Sequence, residues 1–134
     1  MSLMFNFEVH TPYRLFYSGK AQVIILDLAD GQIGVYANHS PFTALSVTCL
    51  LRIREESGEW RNAFVSNGIL EVKEKKNVLM VEAAEWPEEI DRERALNSKQ
   101  QAEKELKETN FKFETDKIKA KLRRAECRLR ILET

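Results

Sequence analysis

The residues that most often carry chemistry are scarce: the 134-residue chain has two cysteines, Cys49 and Cys127, and two histidines, His10 and His39. The cysteines lie 78 positions apart, without C-x-x-C spacing or a neighbouring histidine. That excludes a zinc-finger pattern and a disulfide framework, and leaves packing as their expected role. There is no G-x-x-x-x-G-K-[ST] phosphate loop, no G-x-S-x-G elbow and no H-E-x-x-H pair, and neither histidine falls in a triad-like string. Catalysis by this chain alone is therefore not expected, and no metal is. No apolar run approaches the roughly 18 residues that span a bilayer as a helix, and the N-terminus lacks a basic stretch followed by an apolar one. A protein without direct membrane insertion, working in the cytoplasm, is the expectation. The opening Met1-Ser2-Leu3-Met4 reads as a vector-derived scar ahead of a natural start at Met4.

What is present describes a folded chain, with 43% hydrophobic and 31% charged residues, enough for one packed domain and a small appendage. The zero net charge conceals a pattern: positions 1–81 balance to 0, 82–110 to −4 and 111–134 to +4. Such opposed blocks suit two antiparallel helices of complementary charge, or simply two solvated faces.

Up to about Ala83 the periodicity is that of strands. Phe5-Asn6-Phe7-Glu8-Val9 alternates, and Val23-Ile24-Ile25-Leu26 is a buried run that ends at the turn pair Asp30-Gly31. Leu50–Arg54 leads into Ser57-Gly58, Trp60–Val65 into Asn67-Gly68, and Ile69–Val72 into a Lys75-Lys76-Asn77 turn, with Val78–Val81 closing the series. After Trp86-Pro87 the glycines vanish and helix formers dominate. Asp91 is placed to cap a helix running to about Lys107, with Glu93 in its first turn, and Thr109-Asn110 forms the bend. Ile118, Leu122, Ala125, Leu129 and Leu132 then fall on one seam of a second helix. The expected fold is α+β, an N-terminal antiparallel β-sandwich over 1–86 followed by a C-terminal antiparallel two-helix hairpin over 87–134. Few large apolar residues hold the hairpin, so its packed state is expected to depend on a ligand or a partner surface.

The basic second helix offers Lys117, Lys119, Lys121, Arg123, Arg124, Arg128 and Arg130 to phosphates. The acidic neighbouring segment competes for these cations and stacking aromatics are sparse, so no nucleic-acid partner is expected. A free-standing interaction module is the remaining alternative.

Five strings in order carry a resemblance over nearly the whole chain. They are Thr11-Pro12-Tyr13-Arg14 with Phe16-Tyr17-Ser18-Gly19; Asp30-Gly31-Gln32-Ile33-Gly34-Val35; Asn38-His39-Ser40-Pro41-Phe42; Val65-Ser66-Asn67-Gly68-Ile69-Leu70-Glu71-Val72; and Ala84-Glu85-Trp86-Pro87-Glu88-Glu89-Ile90-Asp91 leading into Arg94-Ala95. The chain resembles the bacterial-type epsilon-subunit family of rotary ATP synthases, homologous to chloroplast epsilon and mitochondrial delta subunits. It departs at Tyr36-Ala37, where a Leu-Pro-like pair is usual, and at Thr48-Cys49, where a glycine is common.

The resemblance implies a sandwich of about ten strands that binds the gamma subunit and the membrane rotor (c) ring, with Gln32, Asn38 and His39 on the surfaces facing stalk and ring. His39 equally fits a hydrogen bond within its own loop. It further implies a hairpin that either folds on the sandwich or extends toward the alpha and beta subunits and inhibits ATP hydrolysis. The setting implied is peripheral, on the cytoplasmic face of the cell membrane, with the coupling ion and a plastid source left open. Ile90-Asp91-Arg92-Glu93-Arg94-Ala95 matches an I/L-D-x-x-R-A signature of nucleotide-binding relatives. Carried over, Glu85, Ile90, Asp91 and Ala95 would surround adenine and ribose, and Arg94, Arg124 and Arg128 would reach the phosphates of a regulatory ATP. No other cofactor is implied. Gln101 stands where such relatives carry a further arginine.

Overall fold

The computed structural model describes residues 3–134; Met1 and Ser2, two of the three residues of the expected scar, lie outside the described residues. Two compact units follow one another, Met1–Trp86 and Pro87–Thr134.

Alternating side chains build the first unit. In β1 (Phe5–His10), Phe7 and Val9 are fully buried while Asn6 faces solvent, the period-two pattern of a strand with one wet face. The other strands are β2 (Leu15–Leu28), β3 (Gly31–Tyr36), β4 (Phe42–Ser46), β5 (Cys49–Glu55), β6 (Trp60–Val65), β7 (Gly68–Val72), β8 (Lys76–Val81) and β9 (Ala84–Glu85). These are nine among the described residues, where the resemblance implied about ten. One ladder runs β2–β1–β8–β7–β4 and the other β3–β2–β5–β6–β9. The 14-residue β2 serves both: its first half pairs with β1 and its second with β3 and β5, and a register shift between Ala21 and Val23 marks the change of partners. Between the ladders lie Phe7, Val9, Ile24, Leu26, Leu51, Ile53, Leu70 and Leu79, each fully buried and each contributing roughly 1.5–3 kcal/mol.

Three features differ from the sequence reading. β1 and β8 pair in parallel, within a sandwich expected to be antiparallel; a parallel pair needs a long connection, and the six strands between them supply it. β2 begins at Leu15, well ahead of Val23, and β3 and β4 lie in the turn-rich string that conceals them. The bend expected over Lys75-Lys76-Asn77 falls at Glu74-Lys75, and Asn77 is inside β8 and 2% exposed.

Asn67-Gly68 is not a hairpin turn. The chain there passes from β6 to β7, strands that do not pair with each other, and neither residue has positive φ. Glycine is required at 68 for space instead, since a Cβ would run into the Met80 carbonyl oxygen and Val81. Gly31 (φ +136°) and Gly58 (φ +91°) do act through the left-handed region.

The unit ends on a stack. Trp86 lies parallel to Phe16, with centroids 4.3 Å apart at 22°, and the Arg61 guanidinium sits 3.7 Å from the indole centroid. At such short separations the two must occupy opposite faces. Arg14 covers the Phe16 ring at 5.0 Å, and Tyr17 meets the indole edge-on at 6.0 Å. β9 pairs with β6 just upstream. The last residue before Pro87 is therefore clamped.

The second unit opens with a 3-10 turn over Pro87–Glu89, in which the Ile90 amide donates to the Pro87 carbonyl at 3.2 Å. Asp91 is extended, and its carboxylate accepts the Arg94 amide at 3.1 Å, capping α1 (Arg92–Glu108). Residues 109–111 form the bend into α2 (Lys112–Leu132). The buried residues of α1 are Ala95 and Ala102, small side chains that allow close helix approach. In α2 the expected seam holds at Ile118 and Ala125, with Leu122, Leu129 and Leu132 half-buried. Over the last turns the buried face includes Cys127 and Ile131, as a 3.6-residue helix drifts away from a fixed heptad seam.

Candidate functional site

The residues expected to hold a nucleotide fall into three groups. Ile90, half-buried, and Asp91 lead into α1, and Ala95 is buried one turn in. Arg94 is exposed on the first turn, and its amide is already engaged by the Asp91 cap. Glu85 belongs to β9 of the strand unit.

Arg124 and Arg128 form the third group, one turn apart on α2 and half-buried. Both line a cleft of about 280 Å3 within the hairpin, together with Lys121 from α2 and Ser98, Gln101, Ala102 and Glu105 from α1. Three cations and one carboxylate line it, and Arg124 and Arg128 have further partners. Ala102, 3% exposed, provides the small side chain that leaves room there. Guanidinium groups grip phosphate oxygens through paired N–H donors, so the cleft is chemically suited to a polyanion. The structure brings Arg124 and Arg128 together, and Arg94 does not line this cleft.

On the strand unit, Gln32 is exposed in β3 opposite Asp27. Asn38 takes φ 64° in the turn after β3, a conformation its short amide side chain tolerates. The His39 ring lies 2.8 Å from the Ser40 carbonyl and packs on Phe42 with centroids 5.0 Å apart, so part of its bonding is internal to the loop. All three side chains face solvent. The unit also exposes an apolar row: Leu45, Ile69 and Met80 are direct cross-strand neighbours on β4, β7 and β8, exposed by 65%, 40% and 43%. Beside the row, Glu8 bonds His10 at 2.8 Å and Lys76 at 3.1 Å, and these partners hold its carboxyl below the usual carboxylate range.

Residues 4–87 match the family described as ATP synthase, Delta/Epsilon chain, beta-sandwich domain, and residues 88–133 match its long alpha-helix domain. The chain belongs to the ATP synthase delta/epsilon family. A relative from Caldicellulosiruptor saccharolyticus named ATP synthase epsilon chain is 43% identical over 129 residues, 96% of this chain and 93% of the relative. One from Caldanaerobacter subterraneus subsp. tengcongensis, with the same name, is 41% identical over 132 residues, 98% and 95% of the two chains. The fold is shared with a chain in the Euglena gracilis mitochondrial ATP synthase at a TM-score of 0.81 and 17% identity, covering 97% of this chain and 79% of that one. A chain in the central stalk and c-ring structure of the Tetrahymena thermophila mitochondrial ATP synthase gives a TM-score of 0.52 at 14% identity, covering 70% of this chain and 71% of that one.

Within this delta/epsilon architecture, reading the sequence missed Lys121 and Glu105 as members of the hairpin cleft. Lys121 precedes Arg124 by three residues and so shares its face, a signal present in the spacing. Glu105 carried no such mark, because its place among cations depends on how α1 and α2 pack. Among the described residues no helix is long and apolar enough to cross a membrane.

Proposed function

We propose that this chain is the epsilon-type, non-catalytic subunit of a rotary ATP synthase stalk, and that its hairpin regulates ATP hydrolysis by changing place. The observation that carries the reading is the division at Trp86/Pro87. A strand unit that ends on a clamped indole is followed by a separately compact hairpin, the construction a positional switch requires. The strand unit docks on gamma and the c-ring; the exposed Leu45–Ile69–Met80 row suits an apolar contact with gamma, and Gln32, Asn38 and His39 face the ring. The basic second half of α2 meets acidic segments of the alpha and beta subunits when the hairpin extends, and rotation in the hydrolysis direction stalls. The complex holds the subunit peripherally on the cytoplasmic face of the membrane.

ATP acts as a regulatory ligand in this reading. Glu85, Ile90, Asp91 and Ala95 take the base and ribose, and Arg94, Arg124 and Arg128 take the phosphates. Binding to the packed hairpin alone stabilises it by about 2.7 kcal/mol at a hundredfold excess over Kd. The test is ATP hydrolysis by the reconstituted complex carrying this chain truncated after Trp86. A several-fold rise over the full-length complex is expected, and a rate no higher than that of the full-length complex sinks the brake.

A further inference from the structure

The apolar row on the strand unit does not stop at Met80. Met80 is the direct partner of His10 on β1, and His10 is the partner of Leu15 on β2, so the row crosses β1 and ends on Leu15, which is more than half exposed. One residue further on, an open groove of about 510 Å3 begins, lined by five consecutive residues of β2, Phe16 to Lys20, with the chain leaving β5 at Glu55–Ser57. Over those five residues β2 has a strand on one side only. β1 pairs with it there, whereas β5 joins at Ala21, opposite Glu55, and β3 and β4 pair with it later still. Alternate residues therefore turn their backbone N–H and C=O toward the groove, where no strand among the described residues receives them. The side chains in the groove are already engaged with one another: Arg61 lies on the Trp86 indole and 3.9 Å from Glu55, which also accepts the Tyr17 hydroxyl at 3.1 Å. What the groove offers is main chain.

We propose that this edge is a strand-addition site, in which an extended segment of the gamma subunit lies in the groove and pairs main chain to main chain with Phe16–Lys20. The inference rests on the stalk reading above and deepens it, adding a second element to the gamma contact. Two observations select the occupant. The open donors and acceptors recur along a strand that rises about 3.4 Å per residue, and an extended backbone matches that spacing over all five residues. The groove is also continuous with the apolar row assigned to gamma, since Leu15 ends the one and Phe16 opens the other, so a single partner reaches both. Ser18 and Lys20 are exposed, so the added strand carries polar residues beside them. In the free chain the same Lys20 charge guards the edge against pairing with a second copy.

The experiment compares amide hydrogen exchange, resolved by residue, in the full-length chain alone and in its complex with the gamma subunit. In the free chain the amides of Phe16–Lys20 that point to the groove should exchange fast, and those bonded to β1 slowly. In the complex the fast set is expected to slow by about a hundredfold or more, the mark of new main-chain hydrogen bonds. Maleimide labelling of Lys20→Cys, at an exposed position in a chain whose own Cys49 and Cys127 are buried, reports separately whether gamma covers the groove. A shielded thiol with edge amides still exchanging at their free rate means side-chain coverage without strand pairing. That result overturns the inference and leaves the stalk reading intact, as does a complex in which neither thiol nor amides change. A chain that does not bind gamma at all overturns both.

Discussion

The chemistry of Tyr17 is altered by its surroundings. Burial is the first cause and the hydrogen bond its hydroxyl donates to Glu55 at 3.1 Å the second; together they push its pKa from 10.0 up to about 12. The unfolded chain therefore loses this proton first as pH rises. The resulting stability is complete below pH 10 and is lost progressively toward pH 12. Urea unfolding of the wild type and Tyr17→Phe across pH 9–12 should show the extra decline in the wild type alone, and parallel curves would refute the assignment. The string Phe16-Tyr17-Ser18-Gly19 stood out in the sequence without a role for Tyr17, because Glu55 and Trp86 reach it only through strand pairing.

At the level of the element, α1 was the most legible part of the molecule. Its cap, its acidic first turn and its extent to about Lys107 are local properties, and the helix runs Arg92–Glu108 from an Asp91 cap. With only alanines buried on α1, capping carries an unusual share of its stability. Asp91→Ala should cost about 1 kcal/mol. Hydrogen exchange without nucleotide should show faster exchange at residues 92–95 with strand amides unchanged; unchanged exchange at 92–95 would show the cap is dispensable. The strands were less legible for the opposite reason. β3 carries two glycines within a six-residue strand, so its local signals read as turn, and only pairing with β2 makes it a strand.

At the level of the whole molecule, the point at which the strand unit ends decides how it can be cut. Truncation after Trp86 keeps the indole between Phe16 and Arg61, whereas truncation after Glu85 removes it and exposes the rings and cations packed on it. The shorter chain should be less stable by about 2 kcal/mol, read as the difference between the two truncated chains in denaturant unfolding. Equal stabilities would mean that the clamp contributes nothing and that the unit ends earlier, at β9. A truncation that unsettles the strand unit would also confuse loss of the brake with loss of docking.

The amino-acid sequence alone determined the change from strand to helix near Trp86, the helix cap, the bend at Thr109-Asn110 and the cationic face of Arg124 and Arg128. These follow from periodicity, propensity and side-chain to backbone bonds over a few residues. Only the tertiary structure decided the parallel β1–β8 pair, the double duty of β2, the spatial reason for Gly68, the seating of Trp86, and the presence of Glu105 among three cations. Each of these joins groups far apart along the chain, and the free energy that selects such a juxtaposition comes from packing the whole unit rather than from any short stretch.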